Sequence, residues 1–187
     1  GVALPDSAAA AEIDPHFRSR FRWMGGMDPF QYIPMSNAAR VSIAEIARHA
    51  TSHAFFNTEP DNDVIIRRNP LVWGLGKIRM YPSLAMAAVR LHLGAQMYTV
   101  HFDRDGIGAV GIGEDITVPT DKRGRMLINY RTIHQREGTS DFTFDPCFPA
   151  KKLFEGEIGS AELANRIVFI GSSAAGLRDI RSTPMTA

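Results

Sequence analysis

Arg166-Ile167-Val168-Phe169-Ile170, followed by Gly171-Ser172-Ser173-Ala174-Ala175-Gly176, is the stretch of the 187 residues that decides the fold class. Four consecutive apolar residues leave no polar face for water, so the run reads as a strand covered on both sides and central in its sheet. The small residues after it allow a tight turn at the end of that strand, where ligands bind in open α/β sheets. The pair predicts an α/β fold, or a mixed α+β one, with a sheet and flanking helices.

Toward the N-terminus, Lys152 to Phe154 and Glu162 to Asn165 read as short helical turns, and Met126 to Tyr130 as a strand. Pro82 is placed to open a helix that stops at Gly94, with Leu84, Ala85, Ala88, Val89 and Leu91 as its expected buried face. Val64 to Trp73 is apolar and β-branched apart from Arg67 and Arg68, and Lys77 to Tyr81 is its expected hairpin partner. Before them stand a turn at Glu59 to Asp63, a short strand at Ala54 to Asn57, and an amphipathic helix over Ser42 to Ala50. Residues 1–40 lack a sustained period and read as an irregular arm, so the α/β domain is expected over 41–187. The Ala-rich opening, Gly1 to Glu12, has no initiating Met and is expected to be a piece of a longer chain.

Composition narrows function. Lys+Arg 21 against Asp+Glu 20 gives a net charge of +1, too little for a nucleic-acid or anionic-membrane surface. No run approaches the roughly 20 apolar residues needed to cross a bilayer, and the start does not read as a signal peptide. The single cysteine, Cys147, excludes an internal disulfide and a Cys-rich zinc site.

Candidate chemistry is incomplete at each place. Ser173 follows the apolar run as a nucleophile would, but Ala175 replaces the second glycine of a hydrolase elbow, and the last histidine, His134, precedes the serine. His49 and His53 have metal spacing without the intervening glutamate of a metalloprotease. Asp61-Asn62-Asp63 starts like a calcium loop but lacks its glycine and distal glutamate, so a β-turn is expected. Gly106, Gly108, Gly111 and Gly113 do not complete a dinucleotide fingerprint. No catalytic residue, metal site or cofactor is expected.

Three segments in order carry a resemblance. They are His53 to Asn57 with Pro60-Asp61-Asn62-Asp63-Val64-Ile65-Ile66-Arg67-Arg68-Asn69-Pro70-Leu71; Tyr81 to Ala85 with Gly124 to Tyr130; and Ile167 to Asp179 with Thr183-Pro184. Over about residues 45–185 the chain resembles the CHASE domain of the second type, the cyclase/histidine-kinase-associated sensory extracellular domain. Val64 stands where that family usually has glycine, and Ser52 where a glycine usually precedes the histidine, so a different backbone geometry is expected in the acidic turn. The resemblance does not extend to the family's opening half or upstream membrane segment, so the chain is expected to be the C-terminal portion of a larger sensor domain.

The resemblance implies an extracytoplasmic sensory domain, tethered through the membrane to a cyclase, histidine kinase or diguanylate-cyclase output. It implies no reaction here, an unknown small-molecule or protein signal, no nucleic acid, and a homodimer as one arrangement. Arg67, Arg68, Ser172, Ser173, Arg178 and Asp179 are the expected ligand contacts or structural anchor, with Asp61 and Asp63 in the acidic turn. Two other classes compete: a small hydrolase using Ser173 or a histidine-bound metal, and a purely structural dimerisation module. A small molecule retained on purification separates the sensor from the module.

Overall fold

The computed structural model describes residues 19–40, 42–77, 79–130, 134–135, 142–143, 148–171 and 183–184. The chain divides into two units, Gly1–Ile128 and Asn129–Ala187. Mixed parallel and antiparallel sheets with a few helices place it in the α/β class.

The first unit is built on a sheet of four strands, β1 (Phe21–Met24), β6 (Tyr98–Phe102), β7 (Ile107–Ile112) and β8 (Ile116–Pro119), in that spatial order. β1 runs parallel to β6, and β6, β7 and β8 form an antiparallel meander. A second sheet joins β2 (Met35–Ser36), β4 (Val72–Leu75) and β5 (Arg79–Pro82). A third pairs β3 (Arg68–Pro70) with β9 (Arg125–Leu127). Helix α1 (Ala44–Ala47) is short, and α2 (Leu84–Leu93) packs on β5 and β7. The second unit carries the antiparallel pair β10 (His134–Gln135) and β11 (Phe142–Thr143), then α3 (Ala150–Phe154) and α4 (Ser160–Leu163).

Between the sheets and α2 lies a core of Ile33, Val72, Met80, Met86, Tyr98, Val100, Ile107, Val110 and Ile112, all buried. Phe21 stacks on Tyr98 with ring centroids 4.8 Å apart. The α2 end is tied to β6 by Arg90, whose Nε donates to the Tyr98 hydroxyl at 3.0 Å and whose Nη1 donates to the Ala95 carbonyl at 2.9 Å. Burial pushes the Tyr98 hydroxyl pKa up, and the Arg90 hydrogen bond opposes that shift.

Several expectations are corrected. Arg166 to Ile170 forms no strand, and its apolar side chains are exposed, Ile170 at 91%. The chain leaves α4 through Asn165 in the left-handed region (φ 58°), and no strand among the described residues pairs with residues 166–170. The inner strands are instead β6 and β7, where Tyr98, Thr99 and Val100 are buried in succession. Phe21–Met24 and Met35–Ser36, expected within an irregular arm, are strands of the two larger sheets.

The expected strand Val64 to Trp73 splits into β3 and β4, which belong to different sheets. Leu71 is the crossing point: its amide donates to the Gly124 carbonyl at 3.0 Å, one rung past the Pro70–Arg125 pair of β3 and β9, while its carbonyl accepts the Ser83 amide at 2.9 Å just after β5. The hairpin of β4 with the segment after Gly76 forms as expected. Ala54 to Asn57 is reduced to a single bridge from Phe55 to Ser83. Pro82 ends β5 rather than opening the helix, and Ser83 caps α2 by accepting from the Met86 amide at 3.4 Å. Gly94 closes α2 in the left-handed region (φ 65°), as the sequence predicts. Its buried face is Met86 and Ala87, whereas Leu84 and Leu91 are exposed.

Truncating this core tests its position. Ile107→Ala, at a fully buried site in β7, is expected to cost about 2–5 kcal/mol. Ile46→Ala, on the exposed face of α1, should stay within about 0.5 kcal/mol. Chemical denaturation of both variants checks the contrast; equal losses would contradict this assignment of the core.

Candidate functional site

Residues 61–65 make a closed turn. The Asp61 amide donates to the Ile65 carbonyl at 3.0 Å, and the Val64 amide donates to the Asp61 carbonyl at 2.9 Å. Such a turn places its fourth residue in the left-handed region, and Val64 is there with φ 68°. The altered geometry expected from valine at this position is therefore not found. The turn keeps the conformation that suits glycine, and a β-branched side chain carries the strain.

Two carboxylates of this turn face the arginines that precede and enter β3. Asp63 takes both arms of the Arg67 guanidinium, with Nη1 donating to Oδ1 at 2.9 Å and Nη2 to Oδ2 at 2.8 Å. Asp63 Oδ1 also accepts from the Ile65 amide at 3.2 Å. The Arg67 hydrogen bonds hold the Asp63 carboxyl at a pKa of about 2, below its ordinary 3.8. The same contact raises the pKa of Arg67.

Asp61 is the shared acceptor of the site. It takes Arg67 Nη1 at 3.4 Å and Arg68 Nη1 at 3.3 Å on Oδ2, and Arg125 Nη1 lies 3.9 Å from Oδ1. With its side chain only 20% exposed, it is better shielded from solvent than Asp63 at 52%. Arg125 arrives through β9, which runs antiparallel to β3 and sets Arg125 opposite Pro70. Its Nε donates to Asp121 Oδ2 at 2.8 Å, while Asp121 Oδ1 accepts the amides of Arg123 and Arg125, both at 3.0 Å. Arg123 Nη2 reaches Glu59 Oε1 at 3.2 Å. An open cleft of about 730 Å³ lies among these groups, lined chiefly by Thr58, Glu59, Asp63, Arg67, Arg123 and Arg125.

Arg67, Arg68, Asp61 and Asp63 are thus brought together, as acidic turn and double-arginine strand. Ser172, Ser173, Arg178 and Asp179 lie outside the described residues. Arg123, Arg125, Asp121 and Glu59 are members of the site that the sequence does not reveal. The cluster Lys122, Arg123, Arg125 is visible as a basic run, but only the β3–β9 register brings it to the turn. Asp61 and Asp63 spend their oxygens on guanidiniums, so the segment is not a calcium loop in this arrangement. Helix α1 ends at Ala47, so His49 and His53 do not share a helix face. Among the described residues, no group of three or more His, Cys, Asp or Glu is placed to hold a metal ion, and no helix is long and apolar enough to cross a membrane.

Two measurements check the turn. Val64→Gly relieves the left-handed strain at an exposed position and is expected to stabilise the protein by about 1 kcal/mol, raising its unfolding midpoint by about 2–4 °C; a lower midpoint would contradict the strain. The second is acid dependence. Because folding depresses the Asp63 pKa from 3.8 to about 2, its stabilising contribution is full above the unfolded value and is lost as pH falls toward the folded one. The stability gap between the unmodified chain and Asp63→Asn should hold steady above about pH 5 and shrink as pH falls to about 2. A gap that widens on acidification would contradict the pairing.

Comparison with known families matches the CHASE2 domain to residues 5–186, nearly the whole chain. Comparison with curated proteins and with solved structures finds no match. With the double-arginine strand, the acidic turn and the α/β fold in place, the family match settles the matter: the chain belongs to the CHASE2 domain family, a family of extracellular sensory domains.

Proposed function

We propose that this chain is the extracytoplasmic signal-input domain of a transmembrane receptor, joined to a cytoplasmic nucleotide cyclase, histidine kinase or diguanylate-cyclase module. The observation that carries the reading is the CHASE2 match over residues 5–186. The chemistry of the cleft supports it: guanidinium–carboxylate pairs at 2.8–3.4 Å are recognition groups.

Signalling then requires two arrangements of the domain that a stimulus binds unequally, because a ligand shifts an equilibrium only by its difference in affinity. The turn 61–65 suits that role, since exposed ion pairs hold a strained backbone to β3. In the same reading, Ser172, Ser173, Arg178 and Asp179 form a second polar anchor or ligand contact after Gly171.

In the full-length receptor, a reporter enzyme active only outside the cytoplasm, inserted next to this chain, is expected to be active. Deleting the chain should leave basal output while abolishing its response to stimulus. Reporter activity confined to the cytoplasm, or an unchanged response after deletion, would overturn the proposal.

A further inference from the structure

We propose that the cleft beside the acidic turn is a binding site for a small monocarboxylate, whose carboxylate takes the Arg67 fork in place of Asp63. The assignment rests on the sensory reading for its purpose and on geometry for its chemistry. The Arg67 fork already holds a planar carboxylate, through two hydrogen bonds of 2.9 and 2.8 Å. That carboxylate is supplied by the chain itself, from a turn whose backbone is strained at Val64.

Exchange is feasible because the pair is open to solvent, with Arg67 at 36% and Asp63 at 52% side-chain exposure. Ion pairs exposed to this degree are weak, so the fork opens at little cost to the fold. Arg67 would not lose its place when Asp63 leaves. Asp61 accepts from Arg67 Nη1 and also from Arg68, and it lies near Arg125, so the fork stays attached to β3 and β9.

Charge sets the valence of the ligand. Arg67, Arg68, Arg123 and Arg125 face Asp61, Asp63, Glu59 and Asp121, four cations against four anions. Release of Asp63 leaves the Arg67 fork with only its longer contact to Asp61, and in a site already balanced a monoanion adds less repulsion than a dianion. A planar two-oxygen group also matches the geometry of a guanidinium fork, and here that geometry is already seen with Asp63. The cleft of about 730 Å³ leaves room for the rest of a small molecule. Departure of Asp63 also removes its hold on the Ile65 amide, which couples occupancy to the conformation of the turn.

Acetate is the probe. The 187-residue chain, isotopically labelled and kept at constant ionic strength, is titrated with sodium acetate while the amides of residues 61–65 and the Arg67 side chain are followed by NMR. Saturable shifts are expected there, with acetate binding several-fold more tightly to Asp63→Asn, which removes the competing charge but keeps an acceptor for Ile65. Arg67→Lys, which keeps the charge and loses the fork, should bind at least ten-fold more weakly than the unmodified chain. Asp63→Ser repeats the first comparison should the asparagine variant fold poorly, and circular dichroism confirms the fold of each.

Equal affinity with and without Asp63, absence of saturable binding in the Asp63 variants, or phosphate and chloride matching acetate would each overturn the site. The two proposals fail separately. A receptor that passes the topology and deletion tests while its chain ignores acetate keeps its sensory role and loses this ligand class; a chain that binds acetate but lies in the cytoplasm does the reverse.

Discussion

One carboxylate, that of Asp61, joins the parts of the molecule on which recognition depends. It sits in the first position of a closed turn, accepts from Arg67 and Arg68, and lies 3.9 Å from a nitrogen of Arg125 on β9. Remove that charge and three guanidiniums face one another with fewer counter-charges, a cost that grows as solvent is excluded. Asp63, only two residues away, makes shorter hydrogen bonds, yet it is more exposed and engages one arginine alone. Bond length and structural importance therefore diverge here, because burial and the number of partners decide how much a charge pair stabilises.

This division of labour follows from the sequence through the strands that present the side chains. Arg67 and Arg68 are adjacent, and β3 begins at Arg68. Arg125 comes from far along the chain, delivered by antiparallel pairing in which Arg68 opposes Leu127 and Pro70 opposes Arg125. Gly124 helps fix that delivery: its φ of 72° suits glycine, and its carbonyl accepts the Leu71 amide at 3.0 Å. The β6–β7 pair and α2 supply the buried apolar mass that makes these surface pairings persistent.

Much of this is legible in the sequence, and the failures share a physical cause. The β4–β5 hairpin, the end of α2 at Gly94 and a strand around Met126 are local signals, set by turn chemistry and residue type. The buried face of α2 is not legible because Leu84–Leu93 is polar only at Arg90 and His92, so apolar spacing fits more than one face. The Arg166 to Ile170 run misleads because an unbroken apolar segment states a need for burial without naming a partner strand. For the same reason the charges of the acidic turn are visible, while the convergence of Arg125, Asp121 and Glu59 on it is not: cross-strand register is non-local information. The glycine preference at position 64 is the one site signal that reaches into backbone geometry, and the φ of Val64 gives it a cause.

If Asp61 anchors the site and Asp63 is its exchangeable member, neutralising the two carboxylates has unequal effects on stability. Equilibrium unfolding of Asp61→Asn and Asp63→Asn at neutral pH measures the difference. Asp61→Asn is expected to lose about 1–3 kcal/mol, as when charge-assisted hydrogen bonds are neutralised at a mostly shielded position, and Asp63→Asn distinctly less. A larger loss at Asp63, or no loss at Asp61, would contradict the anchor.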